Sequence, residues 1–429
     1  MKYISTRSSE HLEFISTCIL KGLAPDGGLF VPSEVKPFDL KNYHSEMSFH
    51  EFSYQFLKVF FQGDELESHL PGICERAFNF EIPLANIHEE LELLELYHGP
   101  TNAFKDFGAR FLAECLEVIN KSSASHKAQL VLVATSGDTG GAVASAFFQR
   151  KNCQVGLLFP QGGVSDRQKS QLTGWGKNIL SFEVKGVFDD CQRMVKEAFK
   201  NQEINKKYEL TSANSINIAR LLPQAAYFAY AGFQYFVKYN KNPSFYVPTG
   251  NMGNVFGAFL AKACGFPVQN IVIATNANET IVDFYKTHQY KPRPSIKTLA
   301  NAMDVGAPSN LERLMWLHPS QDELLRVSKA VLVSDENIKN TIKETFKKFN
   351  KVICPHTATA MFAWRHFQDE SNGAIVVATA HPAKFNEIVE PLIEMELEVP
   401  ENLKNFLARK PDHKIVEAEL TQLLKYLMI

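Results

Sequence analysis

Cysteine is sparse and scattered in this chain. The seven residues, Cys18, Cys74, Cys115, Cys153, Cys191, Cys264 and Cys354, never fall into a Cys-x-x-Cys pair. That spacing gives no support to a disulfide framework or a zinc site, and points to a reducing, cytoplasmic compartment. Long apolar runs are missing too, and the amino-terminal MKYISTRSSEHLEF has no signal-peptide core, so no membrane partner is expected. Charge of one sign is also lacking. A formal net charge of -2 argues against a general nucleic-acid or membrane-surface binder, although a local basic pocket is still compatible with it. The chain has neither a Walker loop nor the GxGxxG of a dinucleotide fold, and it shows no repeats or low-complexity segments.

What is present is enough hydrophobic sequence for more than one core. With 429 residues, 45% hydrophobic and 21% charged, the chain reads as a folded, enzyme-sized protein of two or three domains. Its organising stretch is HGPTNAFKDFGARFL, His98 to Leu112. After Lys105, the residues Phe107, Phe111, Cys115, Val118 and Ile119 recur at the spacing of an amphipathic helix over 106–121. Lys105 therefore stands at the positive end of a helix dipole, with Phe104 and Phe107 beside it, and both influences lower its pKa. An amine that loses its proton readily can form a Schiff base with an aldehyde, which is how pyridoxal 5'-phosphate is held. The plain alternative is a surface lysine next to a helix start.

Three further stretches place small polar loops after strands. AQLVLVA (128–134) has a buried-strand pattern and runs into TSGDTG and a helix at 142–148. Backbone N–H groups in such a loop suit a carboxylate or phosphate, though a plain strand-to-helix turn has the same appearance. PSFYVP (243–248) ends in TGNMGN before an Ala-rich helix at 255–264, forming a second anion cradle. Between them, TSANSINIAR (211–220) brings hydroxyls, amides and Arg220 to the start of a long apolar helix. That set fits a phosphate ester; helix capping with Arg220 in an ion pair is the competing reading. Other strands are expected at 92–97, 154–159, 179–184, 270–275 and 374–378, in a βαβ rhythm that makes a parallel sheet. The helix from Phe188 to Ile204 and the charged region 311–350 read as outer surface, and residues 400–429 as an amphipathic tail. His356, near a helix start, reads as structural.

HGPTNAFKDFG, TSGDTG, NSINIARLLPQ, GNMGN and TAHPAKF occur in the order seen in threonine synthases. The resemblance extends from MKYISTR and GLAPDGGLFVP, through ANAMDVGAPSN, to TAHPAKFNEIVE, nearly the whole chain. It implies an α/β fold of pyridoxal-phosphate fold type II, with two open, mostly parallel sheet domains and an amino-terminal module. The expected division is 1–95 for the module, 96–127 with 240–429 for the large cofactor domain, and 128–239 for the small domain. The resemblance also implies roles: Lys105 as the cofactor lysine and acid–base; Gly250, Asn251, Met252, Gly253 and Asn254 at the cofactor phosphate; Thr379 at the pyridine nitrogen; Asp138 at the cofactor ring. Ser136, Gly137, Thr139 and Gly140 would grip the substrate carboxylate, and Ser215, Asn217 and Arg220 the substrate phosphate. The implied reaction is γ-elimination of phosphate from O-phosphohomoserine and β-addition of water, giving L-threonine. A phospholyase or dehydratase of the same fold, yielding a 2-oxo acid, is the alternative. A monomer or homodimer is expected. The role of ANAMDVGAPSN does not follow from the sequence.

Overall fold

The computed structural model describes residues 1–122, 127–367 and 373–428. Two sheets carry the architecture. The larger runs Ser328–Leu332, Ile271–Thr275, Ser244–Pro248, Ala374–Ala378, Leu91–Glu95, Leu84–His88, and only the last pairing is antiparallel. The smaller runs Lys414–Glu417, Ile179–Lys185, Cys153–Pro160, Ala128–Ala134, Tyr208–Ser212 and is parallel throughout. Helices cover both faces, so central strands such as Leu91–Glu95 and Ala374–Ala378 are buried along their length; the second is apolar throughout, and the first buries Glu92 and Glu95 against Lys238 and Lys351.

In each sheet the chain reverses its direction of travel between two central strands. After Ala128–Ala134 it moves outward to Cys153–Pro160 and Ile179–Lys185, then returns to place Tyr208–Ser212 on the other side. In the larger sheet Ser244–Pro248 leads outward to Ile271–Thr275 and Ser328–Leu332, and Ala374–Ala378 returns to its other side. Loops leaving the two strands at such a switch point diverge and leave a crevice. The stretches after 134, 212, 248 and 378 are the polar motifs singled out above.

The amino-terminal part packs onto this body through aromatic side chains. Ser48 and Glu51 form a capping box that starts the helix Phe49–Phe61. Its buried face carries Phe49, Phe52, Phe56 and Phe60. Phe52 meets Tyr230 with ring centroids 5.2 Å apart, and Phe49 meets Phe107 at 5.6 Å. Each ring removed from water contributes about 1.5–3 kcal/mol, so this helix is fixed to the helices Leu222–Tyr239 and Lys105–Ser122. Phe107 thus points into the aromatic core, and the expectation that it flanks the Lys105 amine is corrected.

Several boundaries differ from the sequence reading. Leu84–His88 and Leu91–Glu95 belong to the larger sheet although they precede residue 96, and Lys414–Glu417 joins the smaller sheet by pairing with Ile179–Lys185. The region 311–350 contains the edge strand Ser328–Leu332 between helices. Short edge strands with one polar face resemble the charged helices around them, and long-range pairing decides them. Among the described residues no helix is long and apolar enough to cross a membrane.

Candidate active site

The crevice is a cavity of about 590 Å³, and Lys105 stands in its wall as the first residue of the helix Lys105–Ser122. What fixes it there is the turn just before it. Asp106 is fully buried; its carboxylate accepts from the Thr101 backbone N–H at 2.9 Å and the Thr101 hydroxyl at 2.7 Å. The Phe104 N–H donates to the Thr379 carbonyl at 2.9 Å, tying the turn to the end of the strand Ala374–Ala378. The Lys105 Nζ lies 4.4 Å from the centre of the Phe104 ring. Burial, aided by the Arg220 guanidinium and opposed by the Asp138 carboxylate, pushes the amine down to about 8.

The loop Thr249–Asn254 lines the same cavity. Gly250 has to be glycine, because a Cβ there would lie 2.7 Å from the Met303 Cα. Met252 adopts the left-handed conformation, φ +62°, and starts the helix Gly253–Ala263. The Phe256 N–H bonds the Met252 carbonyl, so the amides of Gly253, Asn254 and Val255 precede the first helical hydrogen bond and have no intrahelical acceptor. Gly250, Asn251, Met252, Gly253 and Asn254 all line the cavity, and the buried Thr249 hydroxyl beside them has no partner among the described residues. A glycine cradle, open amides at a helix start and a reactive lysine in the same cavity fit a phosphorylated aldehyde cofactor.

The opposite wall comes from the smaller sheet. Ser136, Asp138 and Thr139 reach the cavity, whereas Gly137 and Gly140 sit behind it. Their amides donate to the Thr135 hydroxyl at 3.0 and 2.8 Å, so these two N–H groups shape the loop and are not free for a carboxylate. Gly137 has φ +127°, and a Cβ there would lie 2.6 Å from the Gln168 side chain. Asp138 is held from behind by Lys384, fully buried, at 2.8 Å and by the Gln168 amide at 3.0 Å. Burial alone would raise this carboxyl, but Lys384, His356 and the hydrogen bonds outweigh it and hold the group below its ordinary value.

The 211–220 motif divides. Ser215 and Arg220 line the cavity, joined by Asn214, whose amide donates to the Ala134 carbonyl at 3.0 Å. Asn217 does not reach it. Its amide donates to the carbonyls of Ile19 at 2.9 Å and Ser212 at 3.1 Å, while its oxygen caps the turn at Ala219, so its hydrogen-bonding capacity is spent on the fold. The Arg220 side chain is buried, the residue being 1% exposed, and among the described residues it donates only to the Ala213 carbonyl. Its Nε is packed against Gly108 and has no acceptor, and among the described residues it forms no salt bridge. Thr379 completes the wall at the end of Ala374–Ala378.

Three contributors escaped the sequence reading. Met303, Asp304, Val305, Gly306 and Ser309 of ANAMDVGAPSN line the cavity; the unusual density of small and polar residues there was the available signal. His356 also lines it. Its Nε2 accepts the Ala302 N–H at 3.1 Å, which places the proton on Nδ1, and burial drives the ring down to about 4, so it is a neutral donor without a partner among the described residues. Finally, one face of the helix Phe188–Lys200, assigned above to the surface, lines the cavity along its whole length, from Phe188 and Asp189 through Gln192, Val195 and Lys196 to Lys200.

Comparison with known proteins agrees with this geometry. The family model described as "Pyridoxal-phosphate dependent enzyme" matches residues 83–381, and those described as "Threonine synthase N terminus" and "Threonine synthase, C-terminal" match 2–78 and 357–427. A threonine synthase of Serratia marcescens is 38% identical over 405 residues, covering 94% of this chain and 93% of that one. The crystal structure of threonine synthase from Escherichia coli superposes with a TM-score of 0.91 at 34% identity, covering 100% of this chain and 99% of the other. The pyridoxal-phosphate-bound threonine synthase from Brucella melitensis gives 0.91 at 30% identity, with 100% and 98% covered. On these matches in sequence and in fold, the chain belongs to the threonine synthases, lyases that work with pyridoxal phosphate.

Proposed function

We propose that the substrate is O-phosphohomoserine, converted with water to L-threonine and phosphate. The observation that carries this is Arg220, a buried guanidinium that lines the cavity with Lys105 and Ser215 and, among the described residues, has no carboxylate against it. A buried cation lacking a counter-ion is unfavourable unless a ligand brings the anion, and a phosphate ester brings it in a shape a guanidinium matches. Ser215 and Asn214 flank the same position. Ser136 and Thr139, on the other loop, are proposed to hold the substrate carboxylate by their side chains; Gly137 and Gly140 act by shaping that loop. Asn217 is assigned to the fold.

For the cofactor, we assign its phosphate to Gly250, Asn251, Met252, Gly253 and Asn254, its ring nitrogen to Thr379 and its ring edge to Asp138. When bound, it withdraws electrons and stabilises negative charge on the carbons next to the substrate amine. Lys105 would hold it, and its amine would take and return protons at the substrate carbons, a task for which a pKa of about 8 is suited. Arg220 stabilises the departing phosphate. Holding both anionic ends of one substrate on separate walls fixes the carbon chain across Lys105. We divide the chain into an amino-terminal module, a large domain that includes the strands at 84–95, and a small one that includes the strand at 414–417. We place it in the cytoplasm, where seven buried free thiols are stable.

The test is a product assay on the holoenzyme with O-phosphohomoserine that quantifies phosphate, threonine and 2-oxobutyrate together. Equal phosphate and threonine are expected. Phosphate with 2-oxobutyrate would instead identify a phospholyase, and absence of phosphate would overturn the substrate assignment.

A further inference from the structure

ANAMDVGAPSN ends in Ser309 and Asn310, and together with Arg313 these residues fix the direction of every hydrogen bond around Ser215. Arg313 can only donate. Its Nη1 donates to the Asn310 Oδ1 at 2.7 Å, which leaves the Asn310 amide nitrogen facing the Asn251 carbonyl at 3.1 Å and the Ser215 Oγ at 3.3 Å. From the other side the Ser309 backbone N–H, also a donor only, reaches the Asn251 Oδ1 at 2.7 Å. The Asn251 amide nitrogen is thereby turned to the Ser215 Oγ, 2.7 Å away. Neither amide can be flipped without setting donor against donor.

A serine hydroxyl has two acceptor lone pairs and one hydrogen. Both lone pairs of Ser215 are occupied by amide donors, and no described residue accepts its hydrogen, while its side chain forms part of the cavity wall. We propose that Asn310, anchored by Arg313, is a positioning residue that makes the Ser215 hydroxyl an obligate donor into the cavity, tuned for a group that only accepts, such as a phosphate dianion. This inference rests on the substrate reading above and deepens it. Asn310 and Arg313 are both fully buried and neither lines the cavity, so they act through Ser215. Arg313 is itself consumed by the carbonyls of Phe30 at 3.1 Å, Ser215 at 3.1 Å and Ile216 at 2.6 Å, so it is not available to a ligand.

The experiment compares holoenzyme variants Ser215→Ala, Asn310→Asp, Asn310→Ala and the two double variants. It reads KM for O-phosphohomoserine, kcat, and the affinity for inorganic phosphate followed through the cofactor's visible absorbance. Ser215→Ala should weaken both the substrate KM and phosphate affinity about tenfold, as for loss of a hydrogen bond to a charged group. Asn310→Asp should match it although the hydroxyl is still there, because a carboxylate accepts and draws the serine hydrogen inward. In the Ser215→Ala background either change at 310 should add less than about twofold, since residues that act as a unit are not additive. If Asn310→Asp does not fold, Asn310→Ala carries the same comparison, with an expected effect of about threefold. The inference is overturned if the position-310 variants leave both quantities unchanged, or if their effect is as large without the serine hydroxyl as with it. It is equally overturned if Ser215→Ala itself changes neither. Failure of the wild-type enzyme to turn over O-phosphohomoserine would instead overturn the substrate reading, and the phosphate titration would still decide the role of Asn310.

Discussion

Two buried arginines and two buried lysines surround the cavity, and in each pair one member is partnered where the other is not. Arg313 donates to three carbonyls and the Asn310 side chain, while Arg220 donates to a single carbonyl. Lys384 lies between Asp138 and the Thr101 carbonyl, while Lys105 has no anion within salt-bridge reach among the described residues. All four pay desolvation, but only Arg313 and Lys384 recover it within the chain. The contrast separates cations that build the site from cations that await a ligand: the partnered ones sit behind the wall, the unpartnered ones in it.

Exchanging roles is the way to break that contrast. The largest effect is expected from Lys105→Ala, which removes the amine proposed as nucleophile and acid–base group. Turnover should fall by about a thousandfold or more with the melting temperature nearly unchanged, checked by the coupled product assay and a thermal melt. Arg313→Met should show the opposite pattern. Several buried acceptors lose their donor, so about 3 kcal/mol of stability should disappear in a denaturant titration. Lys384→Met, which leaves the Asp138 carboxylate buried without its cation, should lose a similar amount. Arg220→Gln should keep or raise stability and weaken KM for the phosphorylated substrate by up to about a hundredfold. A stability loss in Arg220→Gln equal to that in Arg313→Met would remove the distinction.

A smaller effect sharpens the electrostatic side. Cofactor uptake by the apoenzyme needs the neutral Lys105 amine, so its rate should rise with pH and level off above about 8. Arg220 lowers the pKa of that amine and Asp138 raises it. Arg220→Gln should therefore move the midpoint to higher pH and Asp138→Asn to lower pH, by about a unit or less each. Stopped-flow absorbance across pH 6–10 on both variants checks the signs; shifts in the same direction would contradict this arrangement.

Much of this was legible in the sequence. A lysine before an amphipathic helix and three polar loops after buried strands follow from spacing alone, because strand, turn and helix are set by local pattern. The motif order pointed to the family. Phe107 beside Lys105, Asn217 at the phosphate and the free amides of Gly137 and Gly140 did not follow, because each depended on which way a group pointed or what else claimed it. Asn217 illustrates the reason: serving as a cap or serving as a ligand requires the same residue at the same place, and only the carbonyls of Ile19 and Ser212 decide between them.

Spacing and composition were enough to place Lys105 at a helix start, the glycine-containing loop at 249–254 before another helix, and the α/β alternation, since these are local and need only backbone geometry. The tertiary structure decided the rest. It set Asp138 against Lys384, 246 positions further along the chain, and brought Asn251 and Asn310 onto the one hydroxyl of Ser215. Hydrogen-bond direction and the partnering of buried charge depend on groups far apart in the chain, and no local pattern records which of them will meet.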